Sequence, residues 1–236
     1  MTAREQRHAR RMLPLFPFEV ALFALIFWAD GAGFIPLSKT PFLFVVAWGS
    51  LWLRGSGWRA VGLNLDRHWR VLLGIGITAG VVFWAFEFFV ENPVLHRLTG
   101  RYPDLNDFKG LVGNIRLLAI LVALNLVLAG FGEEMVWRGY ALPRVAEILG
   151  NSRVACGVAV LAVNAAFGLA HLYQGESGIV QAAVQGVLLG LLYFATGRNL
   201  IAPIAAHFVA NNCDFVAIYL GLHPGIDVLP ITGASS

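Results

Sequence analysis

Three short polar clusters interrupt an apolar chain, and their residue types suit acid–base chemistry. The first is Gly132-Glu133-Glu134-Met135-Val136-Trp137-Arg138. Neighbours on a helix differ by about 100° around its axis, so the two glutamates diverge. Glu134 and Arg138 stand at i,i+4 and can pair, which leaves Glu133 free to face another helix or a cavity. A carboxylate held there could serve as a general base; the alternative is a charged cap on a membrane span. The second cluster is Phe167-Gly168-Leu169-Ala170-His171, with Phe167 and His171 on one face and Asn164 on nearly the same stripe. A histidine at a helix end is either a functional imidazole or a hydrogen-bonded interfacial residue. The third is His207-Phe208-Val209-Ala210-Asn211, whose two polar side chains project together and each need a partner. Together, two glutamates, two histidines and an asparagine supply a base, imidazoles and an amide donor. That set can activate a water and hold a tetrahedral oxyanion. Histidine and glutamate can also hold zinc with one position open to water, with Glu133, His171 and His207 as candidate ligands. The His-Glu-x-x-His signature of soluble zinc proteases is absent.

These residues must be positioned by elements that live in lipid. Of 236 residues, 58% are hydrophobic and only 13% charged, and mean hydropathy is +0.69. A soluble domain of this size cannot hide so much apolar surface. The same numbers exclude a disordered chain, a collagen-like fibre and a disulfide scaffold. Cys156 and Cys213 lie far apart in apolar stretches and read as small buried hydrophobes. Net charge is +3, which in such a chain reports topology rather than nucleic acid.

Apolar runs fall at about Leu13–Ile35, Thr40–Leu53, Val71–Val90, Ile115–Gly132, Val154–Leu172, Ile179–Thr196 and Leu200–Leu222. A span needs roughly 20 residues; the last five runs qualify, while the first two are weaker. The expected fold is therefore all-α: a polytopic transmembrane bundle of about seven helices, six to eight, around a polar cavity. Residues 1–236 read as a single membrane domain without repeat or linker. The first helix reads as uncleaved, because no small-residue cleavage site follows it. With the N-terminus inside, twelve basic residues, Arg138 among them, fall in inner segments and five in outer ones, which favours a cytoplasmic N-terminus and an outer C-terminus.

The three clusters, in this order and on three late helices, resemble the CPBP family of intramembrane proteases, which includes the type II CAAX prenyl endopeptidase (Rce1-like, ABI family). The family's pattern, E-E-x-x-x-R, F-x-x-x-H and H-x-x-x-N, is carried by Glu133-Glu134…Arg138, Phe167…His171 and His207…Asn211. Similar flanks are Arg138-Gly139-Tyr140-Ala141-Leu142-Pro143-Arg144 and Gly197-Arg198-Asn199-Leu200. The resemblance covers about residues 115–215, the expected catalytic core. It implies an intramembrane endopeptidase in which Glu133 activates water, His171 helps orient it, and His207 and Asn211 polarise the scissile carbonyl. Glu134 and Arg138 would support the site, with Phe167 beside them. It further implies a protein or peptide substrate met at the bilayer and, for a compact prokaryotic member, residence in a bacterial inner or plasma membrane. The prenylated substrate itself is not carried over.

Rise along straight helices conflicts with a shared site: at about 1.5 Å per residue, His207 lies some 12 Å in from the inner edge and His171 some 25 Å. The three groups meet only if the fourth span continues through Glu133 and the fifth helix is oblique or displaced. The expected result is a water-filled cavity opening to the cytoplasm. A non-catalytic scaffold or immunity-type binding protein, and a proton pathway, are the competing classes; no inverted repeat supports the latter.

Overall fold

The computed structural model describes residues 15–65 and 68–226. The basic segment Met1–Arg11 and Arg67 lie outside the described residues. Seven helical rods are found among the described residues: α1 Leu15–Gly31, α2 Thr40–Leu53, α3 Trp69–Thr99, α4 Ile115–Ile148, α5 Arg153–Leu169, α6 Gly175–Ala195 and α7 Ile201–Tyr219. No strand occurs among the described residues.

Among the described residues, four segments are long and apolar enough to cross a membrane: Trp69–Thr99, Ile115–Ile148, Leu172–Ala195 and Ile201–Tyr219. With the exposed apolar belt (Trp28, Trp52, Val71, Leu161 and others), this is an integral membrane protein and a polytopic helical bundle. The expectation that the fifth run spans comfortably is corrected. α5 has only 17 residues, because the chain leaves the helix at Ala170 and turns through His171 into α6.

α3 and α4 run longer than their apolar runs because each contains wide, π-helical turns. In α3 these occupy Glu87–Glu91; in α4 they occupy Leu126–Glu133 and Met135–Ala141. The stretch in α3 and the second of the two in α4 are each followed by a proline within the next turn, Pro93 and Pro143. A proline ring clashes with the carbonyl four residues back in a regular helix. An extra residue in the turn relieves that clash, and the rod continues.

α3 and α7 meet along a seam of small residues. A methyl group added at Gly76 would sit 2.5 Å from the Ala202 carbonyl, and one at Gly80 would sit 2.6 Å from the Ala206 carbonyl. Both pairs are spaced by four, so the helices close like a small-xxx-small zipper. α5 and α6 approach in the same way at Gly168, where an added methyl would lie 2.5 Å from the Ile179 carbonyl.

The loops sort into two ends. At one end Leu200 N–H donates to Gly62 O at 2.9 Å, Asn199 Nδ2 to Asn64 O at 3.0 Å, and Arg198 Nη2 to Asn151 Oδ1 at 2.8 Å. The start of α1 joins this end through the buried pair Glu19–Arg54. At the other end Asp104 N–H donates to Gln174 O and Gly113 N–H to Tyr219 O, both at 2.9 Å, while Lys39 lies over the Tyr173 ring. This is the alternation expected from the arginine count, with one correction. Arg138 belongs to no loop: it is 1% exposed in the middle of the bundle.

The α3–α7 seam carries His207 on its far side, so its closeness is testable. Gly80→Leu is expected to destabilise the protein by about 1–3 kcal/mol through overpacking and to lower its melting temperature in lipid nanodiscs. Gly74→Leu, at a position with no neighbour within 4 Å, is the matched control and should melt like the parent.

Candidate active site

The wide turns of α4 separate the two glutamates in role. Glu134 is fully buried. Its Oε1 accepts from Arg138 Nη1 at 2.8 Å and from His207 Nδ1 at 2.8 Å. Arg138 is held from the other side: Nη2 donates to Asn164 Oδ1 and to Gly186 O, each at 3.1 Å. The guanidinium carbon lies 4.6 Å from the centre of the Phe167 ring, within cation–π range. An ion pair removed from water survives only when its remaining hydrogen-bonding capacity is largely met. Here α4, α5, α6 and α7 each contribute a group to that end.

Glu133 points elsewhere, as the angular argument predicts. It keeps a fifth of its side-chain surface exposed and places Oε2 4.0 Å from His207 Nε2. Its Oε1 accepts from Thr40 Oγ1 at 3.4 Å. Thr40 opens α2 and packs on Gly132, where an added methyl would come within 2.7 Å of the threonine methyl.

The two imidazoles are fixed in the same sense. His171 Nδ1 lies 2.9 Å from Phe167 O; a carbonyl only accepts, so Nδ1 carries the proton. His207 Nδ1 faces the carboxylate of Glu134, which assigns its proton likewise. Each ring therefore turns Nε2 away from its anchor. Phe167 separates and braces them, its ring centre 4.8 Å from that of His171 and 6.2 Å from that of His207. His171 sits in the turn between α5 and α6. Burial favours its neutral form, against the opposing pull of the Glu133 charge.

Glu133, His171, His207 and Asn211 all line one cavity of about 340 Å³. Asn211 Nδ2 donates to Asn125 Oδ1 at 3.2 Å, and Asn125 Nδ2 donates to Phe208 O at 3.1 Å, so the amide is oriented from α4. Glu134, Arg138 and Phe167 stand behind the cavity wall. Every residue singled out from the sequence thus belongs to one neighbourhood, and the conflict over helical rise resolves in two places. α4 does continue through Glu133. α7 starts below the surface: Leu200 is fully buried and its amide bonds to Gly62 O in the α2–α3 connector. His207 is deeper than a count from the membrane edge places it.

The cavity's lining includes Leu37, Ser38, Phe108 and Gln174, so its mouth lies at the end opposite the one bearing Arg59, the last turn of α4 with Arg144, and Arg198. The expected cytoplasmic mouth and the expected cytoplasmic N-terminus therefore exclude each other, since α1 starts at the arginine-bearing end.

Among the described residues, no group of three or more His, Cys, Asp or Glu side chains converges in a way that would hold a metal ion. Glu133, His171 and His207 share a cavity without forming a preset zinc shell. As a water site the same groups fit: the Glu133 carboxylate and the two imidazoles border one cavity.

Sequence reasoning overlooked Thr40, Asn125, Glu87 and Asp214, the last two also on the cavity. Asn125, Glu87 and Asp214 were each visible as a polar residue inside an apolar run. Thr40 carried no such signal.

Residues 115–213 match the family described as Type II CAAX prenyl endopeptidase Rce1-like. The matched stretch runs from the start of α4 into α7 and contains all seven residues of the three motifs, so the resemblance read from those motifs is borne out over it. No curated protein and no solved structure gives a significant match.

The buried ion pair sets a stability test. Arg138→Met leaves the buried Glu134 without its guanidinium partner, and should cost about 3–5 kcal/mol, read as a lowered denaturation midpoint in nanodiscs. A loss under about 1 kcal/mol would place the pair at a solvated surface.

Proposed function

From the Rce1-like match of residues 115–213, a family of proteases, we propose that this chain is an intramembrane endopeptidase that hydrolyses a peptide bond with a water activated by Glu133. The observation that carries the reading is the shared cavity: Glu133, His171 and His207 border it together, and both rings are tethered through Nδ1. A peptide or protein segment enters from the mouth at the bilayer boundary, consistent with residence in a bacterial inner or plasma membrane.

Glu133 takes a proton from the water as its oxygen attacks the carbonyl carbon. His171 Nε2 accepts a hydrogen bond from the same water and fixes its direction. The carbonyl oxygen gains negative charge and needs donors. The Asn211 amide is one. His207 is the other, a role that requires its imidazolium form, flanked by the carboxylates of Glu134 and Glu133. Collapse of the tetrahedral intermediate breaks the C–N bond, and the proton held by Glu133 passes to the leaving amine. Glu134 and Arg138 are positioning residues, because they touch His207 and the bundle rather than substrate.

Glu133→Gln keeps the side-chain shape and removes the base. Cleavage of a membrane-protein pool by the purified protein in nanodiscs should fall by about 10²–10⁴-fold, with insertion and melting unchanged. Undiminished cleavage would reject Glu133 as the base. A purely binding role predicts that Glu133→Gln behaves as the parent throughout. Thr40→Val removes one hydrogen bond to Glu133, about 1 kcal/mol, and should lower kcat several-fold while leaving KM unmoved. Incubation with a zinc chelator is expected to leave cleavage intact; loss of cleavage restored by zinc would make Glu133, His171 and His207 metal ligands.

A further inference from the structure

α6 contributes no hydrolytic group, yet it lines the same cavity with Gln181 and Gln185. The two stand at i,i+4, so their side chains leave one face of the helix about 6 Å apart along its axis. Ala182 lines the cavity between them, so the wall is low there and a chain can approach both amides. Gln181 is 8% exposed, and its Nε2 donates to Oδ1 of the fully buried Asn92 at 2.7 Å. That bond holds it from α3 and leaves its Oε1 and second N–H without a partner among the described residues. Gln185 is half-buried, and its amide makes no hydrogen bond among the described residues. The adjoining Gly186 carbonyl, by contrast, accepts from Arg138 Nη2 at 3.1 Å, and Arg138 leads through Glu134 to His207. Gln185 is therefore fixed in depth beside the hydrolytic groups while its own amide stays open.

Open amides inside a membrane bundle are costly, and their chemistry selects what would pair with them. A lipid tail or an apolar side chain leaves both unpaired. An amide side chain offers an acceptor and two donors, the complement of the N–H and C=O of a peptide group. A helical segment satisfies those groups internally. An extended segment brings them unpaired into the cavity, where they must find partners, and no strand among the described residues can supply them. Peptide groups on one side of an extended chain recur every two residues, about 6.6 Å, close to the rise from Gln181 to Gln185.

We propose that Gln181 and Gln185 bind the main chain of the substrate, each amide hydrogen-bonding to one of two alternate peptide groups of a single extended segment. This rests on the hydrolytic reading above and names the form of its substrate: a stretch without helix, read through its backbone rather than by a side-chain pocket. Both glutamines bind without touching the reacting atoms, so their loss acts on KM and spares kcat.

The test uses the full chain in nanodiscs, a ten-residue apolar peptide of non-repeating sequence, and its analogues carrying one N-methyl group at each position in turn. An N-methyl group removes a backbone donor and leaves the side chains unchanged. With the unmodified protein, N-methylation at two positions two residues apart, away from the cut bond, should raise KM about fivefold, the loss of one hydrogen bond. Gln185→Met, of similar size, should raise KM of the parent peptide about fivefold at unchanged kcat and melting temperature, and abolish the penalty at one of the two positions. Gln181→Met should abolish the other; if it fails to fold for want of its bond to Asn92, Gln185→Met decides alone. An unchanged KM in Gln185→Met, or a raised KM with the N-methyl profile of the unmodified protein, overturns backbone reading and leaves hydrolysis standing. If no peptide is cut, that counts against hydrolysis, and dissociation constants for the Glu133→Gln protein replace KM. The same pattern, lost in Glu133→Gln/Gln185→Met, supports the proposal; absent binding or a flat profile overturns it.

Discussion

The bundle is organised around one buried ion pair, Glu134 with Arg138. Both side chains are essentially sealed from solvent. Bringing them there costs several kcal/mol per ion, and breaking the pair costs more than never having made it. The cost is offset by convergence: Asn164 from α5, the Gly186 carbonyl from α6, His207 from α7 and the face of Phe167 all close on it. Satisfaction is incomplete, since Glu134 Oε2 and Arg138 Nε have no hydrogen-bond partner among the described residues. A wholly apolar packing would be cheaper in stability. What the ion pair supplies instead is a fixed anchor for His207 Nδ1, and through it a defined direction for Nε2.

The scaffold around this anchor depends on small residues and wide turns. Gly76 and Gly80 let α7 lie against α3, and Gly186 leaves room for Asn164, whose Oδ1 would otherwise be 2.6 Å from a methyl group. The π-helical stretches of α4 surround the two glutamates, and that of α3 begins at Glu87. Such turns recur where a helix must aim a side chain out of its regular register. They also carry the rods past Pro93 and Pro143, which explains why α3 and α4 exceed the length needed to cross lipid.

Much of the site was legible in the sequence because ionisable residues are conspicuous in apolar runs. The divergence of Glu133 from Glu134 follows from helical geometry alone, as does the pairing of Glu134 with Arg138. What stayed hidden depended on tertiary placement. Counting Arg138 as a loop residue followed from its distance past the apolar run, and only the packing of Asn164, Phe167 and Gly186 shows it to be internal. The depth of His207 depends on the α2–α3 connector covering the start of α7. The fifth helix is shorter than its apolar run, because hydropathy continues through Leu172 while the backbone turns at His171. Thr40 reaches Glu133 across 93 positions of sequence, and no local pattern announces such a contact. The side of the membrane on which the cavity opens shows the limit of charge counting: the loops sort into two ends as expected, yet the mouth falls at the end with fewer arginine-bearing loops.

The central claim is that two imidazoles, each held through Nδ1, present Nε2 to one water-containing cavity beside Glu133. Nitrogen-15 spectra of histidine-labelled protein in lipid read this directly, with His171→Gln and His207→Gln supplying the assignments. The account predicts a proton on Nδ1 of both rings, and contact between water and Nε2 of both. A ring protonated only on Nε2, or an Nε2 that exchanges no magnetisation with water, would contradict it.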